Sequence, residues 1–149
     1  MTLLALEGDR LYATTHCDPE MALFADRHYS RKKIGSPQFM PPGRKLVLRN
    51  AEGTILFGWL WAKDEYRLDH QTGYNCTIFR NESDRKSSEI IIEAENLAVE
   101  KWGLNRFYTY VNAKKIRSSN PGYCFIRAGY KKIGVSKAGL ILLAKESTP

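Results

Sequence analysis

Cysteines are few in this sequence, and several patterns that would define a protein class are missing. Cys17, Cys76 and Cys124 lack the paired spacing of a zinc site, and three separated thiols exclude a disulfide scaffold. No run of 18 apolar residues occurs, so no transmembrane helix is expected. The first ten residues lack the basic region and cleavage site of a secretory signal, which predicts a cytoplasmic protein. Without repeats or linkers, residues 1–149 are expected to form a single domain.

Acidic residues are scarce in two parts of the chain. The whole chain carries 23 Lys and Arg against 16 Asp and Glu, a net charge of +7. Residues 101–149 contain ten basic residues and one acid, and residues 27–49 contain seven basic residues and no acid. A clustered solubility charge would explain this, but segregation into two basic blocks that together contain a single acid favours an anionic polymer as partner.

Hydrophobic periodicity predicts both helices and strands. Asp18 is expected to cap a short helix, a longer helix is predicted over residues 87–102 with Gly103 as its stop, and residues 123–128 fit one or two further turns. Strands are predicted at residues 45–49, 54–61, 75–79, 106–111, 130–135 and 139–145. The expected fold class is therefore α/β (α+β), with a mixed central β-sheet flanked by helices.

The first candidate site is His28-Tyr29-Ser30, which follows the short helix and precedes a loop rich in proline and glycine. A histidine can accept a proton near neutral pH, and a tyrosine can donate a hydrogen bond or stack on a base. An ordinary surface histidine is the competing interpretation. The cations expected to contact phosphates in this part of the chain are Arg31, Lys32, Lys33 and Arg44.

The second candidate site lies between a predicted strand and the start of the longer helix. A helix start presents unpaired N–H groups and a positive dipole end, which suit a phosphate. Glu82 is the acid placed to act as a base here. Capping alone would be simpler, with Asp84, Ser87 or Ser88 as the N-cap. The residues of this candidate are Arg80, Asn81, Glu82, Arg85, Lys86, Ser87 and Ser88.

The third candidate site runs off the end of the strand over residues 106–111. Alternation places Tyr108, Tyr110 and Asn112 on one face of that strand. Aromatic rings beside cations are typical of a nucleic-acid surface, although the tyrosines could instead pack one face of the sheet. The cations that follow are Lys114, Lys115 and Arg117.

The C-terminal half resembles the GCN5-related acetyltransferase (GNAT) fold. The segment from Gly122 to Gly134 is similar to the last helix and following strand of that fold, and residues 87–102 would be the helix after the cofactor strand. Typical members carry a glycine-rich turn that holds the coenzyme A pyrophosphate, whereas residues 80–88 contain no glycine. Typical members also place a tyrosine, the acid for the leaving thiolate, where this chain has Phe125. The resemblance leaves the donor open: acetyl-CoA, or another acyl- or glycyl-type molecule.

Several features together resemble one branch of that superfamily, the Mom family of DNA-modifying proteins from phage Mu-like and other mobile elements. They are the His28-Tyr29-Ser30 motif, Arg80-Asn81-Glu82, the Ser87-Ser88 helix start and the basic C-terminal third. The resemblance implies conversion of adenine in double-stranded DNA to N6-carbamoylmethyladenine. That modification shields phage or mobile-element DNA from host restriction.

The resemblance also implies roles for individual residues. Tyr29 or Tyr108 would stack on the base, His28 or Glu82 would accept a proton from the amine, and Asn81 would read the base edge or position the donor. The implied catalytic positions are His28, Tyr29, Ser30, Asn81, Glu82 and Tyr108. The implied donor-binding positions are Arg80, Arg85, Ser87, Ser88 and Tyr123. The implied DNA contacts are Arg31, Lys32, Lys33, Arg44, Lys114, Lys115 and Arg117, and no metal ligand is expected.

Two other classes of function stay open from the sequence. One is a GNAT acetyltransferase that uses acetyl-CoA on a small amine or a protein. The other is a non-catalytic DNA-binding protein of a mobile element, which would bind DNA in a salt-sensitive way without changing its nucleosides.

Overall fold

Seven strands and three helices make up the described part of the chain. The computed structural model describes residues 10–26, 40–62, 71–112 and 122–146. In chain order the elements are β1 (Tyr12–Thr14), α1 (Pro19–Ala25), β2 (Arg44–Arg49), β3 (Ile55–Trp61), β4 (Tyr74–Asn81), α2 (Ser87–Trp102), β5 (Arg106–Val111), α3 (Tyr123–Arg127), β6 (Lys131–Val135) and β7 (Ile141–Glu146). The predicted mixed α and β architecture is confirmed, and each predicted strand is present with ends that differ by at most two residues.

The strands form one mixed sheet in the order β1-β2-β3-β4-β5-β7-β6. β4 and β5 run parallel, joined by a crossover through α2, and the other described neighbours pair antiparallel. β1 was not predicted, because three residues are too few to show an alternating pattern. No helix in the described ranges is long and apolar enough to span a membrane.

The helices cover the two faces of the sheet. α2 and α3 pack on one face, where Trp59, Phe107 and Phe125 join a large buried core. α1 packs on the other face, where Met21 and Phe24 lie against Val47, Leu56 and Ile78 in a second, smaller core. These are called the α2 face and the α1 face below.

α1 begins as the sequence predicts. Asp18 Oδ1 accepts hydrogen bonds from the backbone N–H groups of Glu20 and Met21 at 3.1 and 3.2 Å, and Pro19 is the first helical residue. The guanidinium of Arg49, at the end of β2, contacts Asp18 at 3.0 Å and also pairs with Glu20. The start of α1 is thereby joined to the sheet.

α2 has the predicted bounds and the predicted buried face. Ile91, Ala94 and Ala98 are fully buried, and Gly103 ends the helix with φ at 96°, a conformation that favours glycine. The predicted N-cap is wrong. The N-cap position is Lys86, whose side chain makes no capping hydrogen bond, so none of the candidates Asp84, Ser87 and Ser88 caps the helix. A side chain from β4 supports this end instead, as described next.

Candidate functional site

The two parallel strands separate part-way along their length. β4 and β5 pair only from Tyr74–Phe107 to Cys76–Thr109. Beyond that point β4 continues to Asn81 and β5 to Val111, with no ladder between them in the ranges that the structure describes. We call the space between residues 77–81 and residues 110–111 the wedge. Crevices at the carboxyl ends of parallel strands are where α/β folds bind ligands.

A hydrogen bond and a bulge shape the closed end of the wedge. Thr109 Oγ1 donates to the backbone oxygen of Cys76 at 2.9 Å, at the last paired position. On the other side of β4, Gly58 pairs with Ile78 and Trp59 with Cys76, so Thr77 is an extra residue in the ladder. Because of this bulge, Thr77 and Ile78 both point to the α1 face. A bulge bends its strand, and this one lies where β4 separates from β5.

Asn81 organises the loop between β4 and α2. Its Nδ2 donates to the backbone oxygen of Arg85 at 2.9 Å and to Ser87 Oγ at 3.0 Å. Its Oδ1 accepts from the backbone N–H of Ser83 at 2.9 Å and from Ser83 Oγ at 2.6 Å. All donors and acceptors of this side-chain amide are therefore used within the loop.

The loop also uses most of its own backbone donors. The N–H groups of Glu82, Ser83 and Arg85 donate to Thr54 O, Asn81 Oδ1 and Ser83 Oγ respectively. The loop is thus shaped by side-chain hydrogen bonds where the GNAT resemblance would place glycines. An anionic group at this end would be met by the first N–H groups and hydroxyls of α2, at Ser87 and Ser88.

The charged residues predicted at this loop are held in ion pairs. Arg80 Nε donates to Glu82 Oε2 at 2.7 Å, and the Arg80 guanidinium lies 5.1 Å from the ring centre of Phe24. Arg85 pairs with Glu93 of α2 at 3.1 Å. The structure therefore brings the predicted residues of this region together, with each arginine oriented by an acid.

Tyr108 lies at the closed end of the wedge on the α1 face. It is 3% exposed, packs with Leu142 and Ala144, and meets Tyr110 edge-on with ring centres 6.0 Å apart. The prediction that at least one of these tyrosines packs the sheet is confirmed for Tyr108. In the sheet register it stands opposite Asn75.

The predicted residues form two groups rather than one. Tyr108 is opposite Asn75, and Arg80 lies five residues further along β4, a separation of about 16 Å at the rise of a strand. Glu82 lies further still. In the described structure Tyr108 and Glu82 therefore lie too far apart to act on the same adenine.

Arg44 and Tyr123 lie outside both groups. The Arg44 guanidinium stacks on Trp61, 3.8 Å from the ring centre, on the second strand of the sheet. Tyr123 begins α3 and is 51% exposed.

The position where the GNAT resemblance would place a catalytic tyrosine is filled by a buried ring. Phe125 is 6% exposed and meets Tyr130 edge-on at 5.1 Å and Phe79 at 6.1 Å between ring centres. It has no proton to donate. Burial raises the pKa of the neighbouring Tyr130 well above its usual value, and the negative charge of Glu95 raises it further. The Tyr130 hydroxyl therefore stays protonated.

Two cysteines near the wedge are thiols rather than thiolates. Burial raises the pKa of Cys76, at the closed end, far above its ordinary value, and it also raises the pKa of Cys124 in α3. Among the described residues no group of three His, Cys, Asp or Glu side chains gathers to hold a metal ion.

Nine predicted site residues fall outside the described residues. They are His28, Tyr29, Ser30, Arg31, Lys32, Lys33, Lys114, Lys115 and Arg117. The described chain stops at Asp26, just after α1, and resumes at Met40, which is buried in the core of the α1 face. Asp26 and Met40, the described residues on either side of His28 in the chain, therefore lie on the α1 face.

No family model matches the chain, and no curated protein matches it significantly. The function proposed next therefore rests on the geometry described above and on the sequence resemblance.

Proposed function

We propose that the protein is a GNAT-like transferase that converts adenine in double-stranded DNA to N6-carbamoylmethyladenine. The observation that carries the proposal is the wedge: one parallel strand pair, joined through α2, that separates after three paired residues. This geometry provides an extended slot with backbone hydrogen-bonding groups along it, and such a slot suits a long, thin donor. The sequence resemblance to GNAT-like and Mom-family proteins supplies the acceptor, adenine.

In this proposal the donor lies along β4. Its anionic end would sit at the start of α2, near Arg85, Ser87 and Ser88, where N–H groups and the helix dipole favour negative charge. Its reactive end would reach the closed end of the wedge, about 16 Å away at the rise of a strand. The loop before α2 has an internally bonded backbone, which favours a donor other than plain acetyl-CoA.

The proposed base is His28 rather than Glu82. Glu82 is paired with Arg80 at the far end of β4 and therefore serves to orient that arginine. α1, the described element that precedes His28 in the chain, packs on the face of the sheet where the side chain of Tyr108 lies. There His28 would accept the proton that the exocyclic amine loses as its nitrogen bonds to the methylene carbon of the carbamoylmethyl donor and the bond from that carbon to the donor's leaving group breaks. Cations of the two basic blocks would contact the DNA phosphates.

The proposal is tested by the DNA of cells that express the protein. Genomic DNA digested to nucleosides should contain deoxyadenosine carrying the added mass of a carbamoylmethyl group. The His28→Ala variant should lose this product, whereas His16→Ala, a second histidine on the other side of α1, should keep it. Glu82→Gln should reduce the yield without abolishing it. Unchanged nucleosides in the wild-type culture would overturn the proposed function.

The wedge also supports a second function, acetyl transfer to a small amine or a protein. The proposed donor site would be the same whichever molecule accepts the transferred group. Under that function coenzyme A binds in calorimetry, and acetyl groups are transferred without DNA present. A protein that binds DNA, leaves nucleosides unchanged and does not bind coenzyme A would be a non-catalytic DNA-binding protein.

A further inference from the structure

One polar side chain at the closed end of the wedge carries a buried oxygen without a hydrogen-bond partner among the described residues. Asn75 lies on β4 between Leu60 of β3 and Tyr108 of β5, which are its neighbours in the sheet register. Its chain neighbours Tyr74 and Cys76 point into the core of the α2 face. By alternation the side chain of Asn75 lies on the α1 face, beside that of Tyr108.

The amide oxygen of Asn75 is buried without a hydrogen bond. Asn75 Oδ1 has no partner in the part of the chain that the structure describes. A buried acceptor left unpaired destabilises a fold, and asparagine is disfavoured in strands, so packing alone gives no reason for this residue here. A ligand with an N–H group could donate the hydrogen bond that Asn75 Oδ1 lacks.

The surroundings of Asn75 suit a flat ligand. Tyr110 is only partly buried, and its ring lies on the same face as that of the buried Tyr108, which it meets edge-on. Thr77, two residues along β4, donates to Met40 Sδ at 3.1 Å, whereas the amide oxygen of Asn75 has no partner among the described residues. Asn81, the asparagine proposed from the sequence to read the base, has all of its hydrogen bonds within its own loop.

We propose that Asn75 recognises the target adenine by its Hoogsteen edge: Oδ1 accepts one N6–H and Nδ2 donates to N7. A side-chain carboxamide pairs with adenine in this bidentate way. The second N6–H is left free, so the amine is held without blocking its reaction. The base must leave the stack to reach this position. The inference rests on the proposed function for its ligand and adds the residue that would select adenine.

The test measures binding of single-stranded oligonucleotides, which avoid the cost of extracting a base from a duplex. One oligonucleotide carries a single adenine in a thymine tract, and its partner carries 7-deazaadenine, which lacks the N7 acceptor. Wild-type protein should bind the adenine oligonucleotide about 10- to 100-fold more tightly, because the deaza base leaves Asn75 Nδ2 without its acceptor. Asn75→Leu should bind both oligonucleotides equally, and more weakly than wild type binds the adenine oligonucleotide. The matched control Asn96→Leu makes the same substitution at an exposed position of α2 and should discriminate as wild type does.

Every outcome decides the inference. Asn75→Leu removes an unpaired polar group, so its melting temperature should equal or exceed that of wild type. A large fall in melting temperature with discrimination intact would make the amide structural and overturn the inference. A wild-type protein that binds neither oligonucleotide, or binds both equally, would overturn it as well, while a modified nucleoside in cells would still uphold the proposed function. Discrimination without any modified nucleoside would uphold the adenine site and reject the transferase.

Discussion

Asp18 has two tasks that depend on its charge. It caps α1, and it pairs with Arg49, whose side chain is 90% buried. Burial pushes the pKa of Asp18 upward, but hydrogen bonds from Thr14 and Arg49 outweigh it and hold the pKa below its usual value. The ionised form is therefore the one that stabilises the fold.

Replacing Asp18 by Asn should separate these two tasks. Asparagine caps a helix as well as aspartate, so the expected loss of about 1 kcal/mol at pH 7 reports the contacts of the other carboxylate oxygen with Arg49 and Thr14. Because the folded pKa lies below the unfolded one, this contribution is complete above about pH 4 and is lost as the pH falls toward the folded pKa. Urea unfolding of both proteins at pH 7 and near pH 3 should show the difference shrink. A difference independent of pH would contradict the pairing.

At the scale of elements, one lysine joins α2, α3 and β7. Lys145 Nζ of β7 donates to Glu95 Oε1 of α2 at 2.9 Å and to the backbone oxygen of Ala128, just after α3, at 2.7 Å. The side chain of Glu95 is 7% exposed. A carboxylate at that depth depends on its partner, so this contact fixes α3 beneath the sheet.

Lys145→Met should destabilise the protein by roughly 2–3 kcal/mol, because it leaves the Glu95 carboxylate buried without its cation. The double variant Glu95→Leu, Lys145→Met should recover most of that loss, since a well-packed apolar pair of similar volume replaces a buried ion pair at little cost. Chemical denaturation of the three proteins measures both steps. If the single variant is as stable as wild type, the pair does not hold α3.

The sequence predicts those elements whose pattern is strong and local. The helix over residues 87–102 and the strand over residues 106–111 have clear hydrophobic periods. In the structure both have the predicted bounds. Glu95 is different: it lies on the buried side of its helix because Lys145, fifty residues away, neutralises it. The bulge at Thr77 depends equally on a neighbouring strand, and it reverses the face of every later residue of β4. Such features need the tertiary structure.

At the scale of the whole molecule, charge and sheet order set where DNA can lie. Arg44 is on β2, whereas Lys131 and Lys132 are on β6, with four strands between β2 and β6. The described cations of the two basic blocks therefore do not form a single patch. Seven of the 17 cations in the two blocks lie outside the described ranges, and a DNA-binding face shared by both blocks stays a prediction.

The salt dependence of DNA binding should identify which cations take part. Each phosphate contact contributes about 0.9 to the slope of log affinity against log salt. Lys114→Gln with Lys115→Gln should therefore reduce that slope by about 2. Lys131→Gln with Lys132→Gln removes the same charge at the sheet edge and should leave the slope nearly unchanged. Equal reductions from both pairs would indicate a general charge effect and contradict the proposed footprint.

The candidate site was only partly accessible to sequence reasoning. Residues 80–88 could be grouped because they are adjacent in the chain and precede a helix. Asn75 was missed, although an asparagine inside an apolar strand is itself a signal. Its position beside Tyr108 follows from strand pairing across 33 residues, which no local pattern encodes.

The wedge also gives the sheet an internal edge. Beyond Cys76, β4 has β3 on one side and, within the described residues, no strand on the other. Exposed edges invite another chain to pair with them, because their N–H and C=O groups have no neighbouring strand. An extended chain carries regularly spaced N–H and C=O groups that match such an edge. Inhibitors of this half of the site should therefore be sought among short peptides and other linear molecules with regularly spaced amides, rather than among flat aromatic compounds.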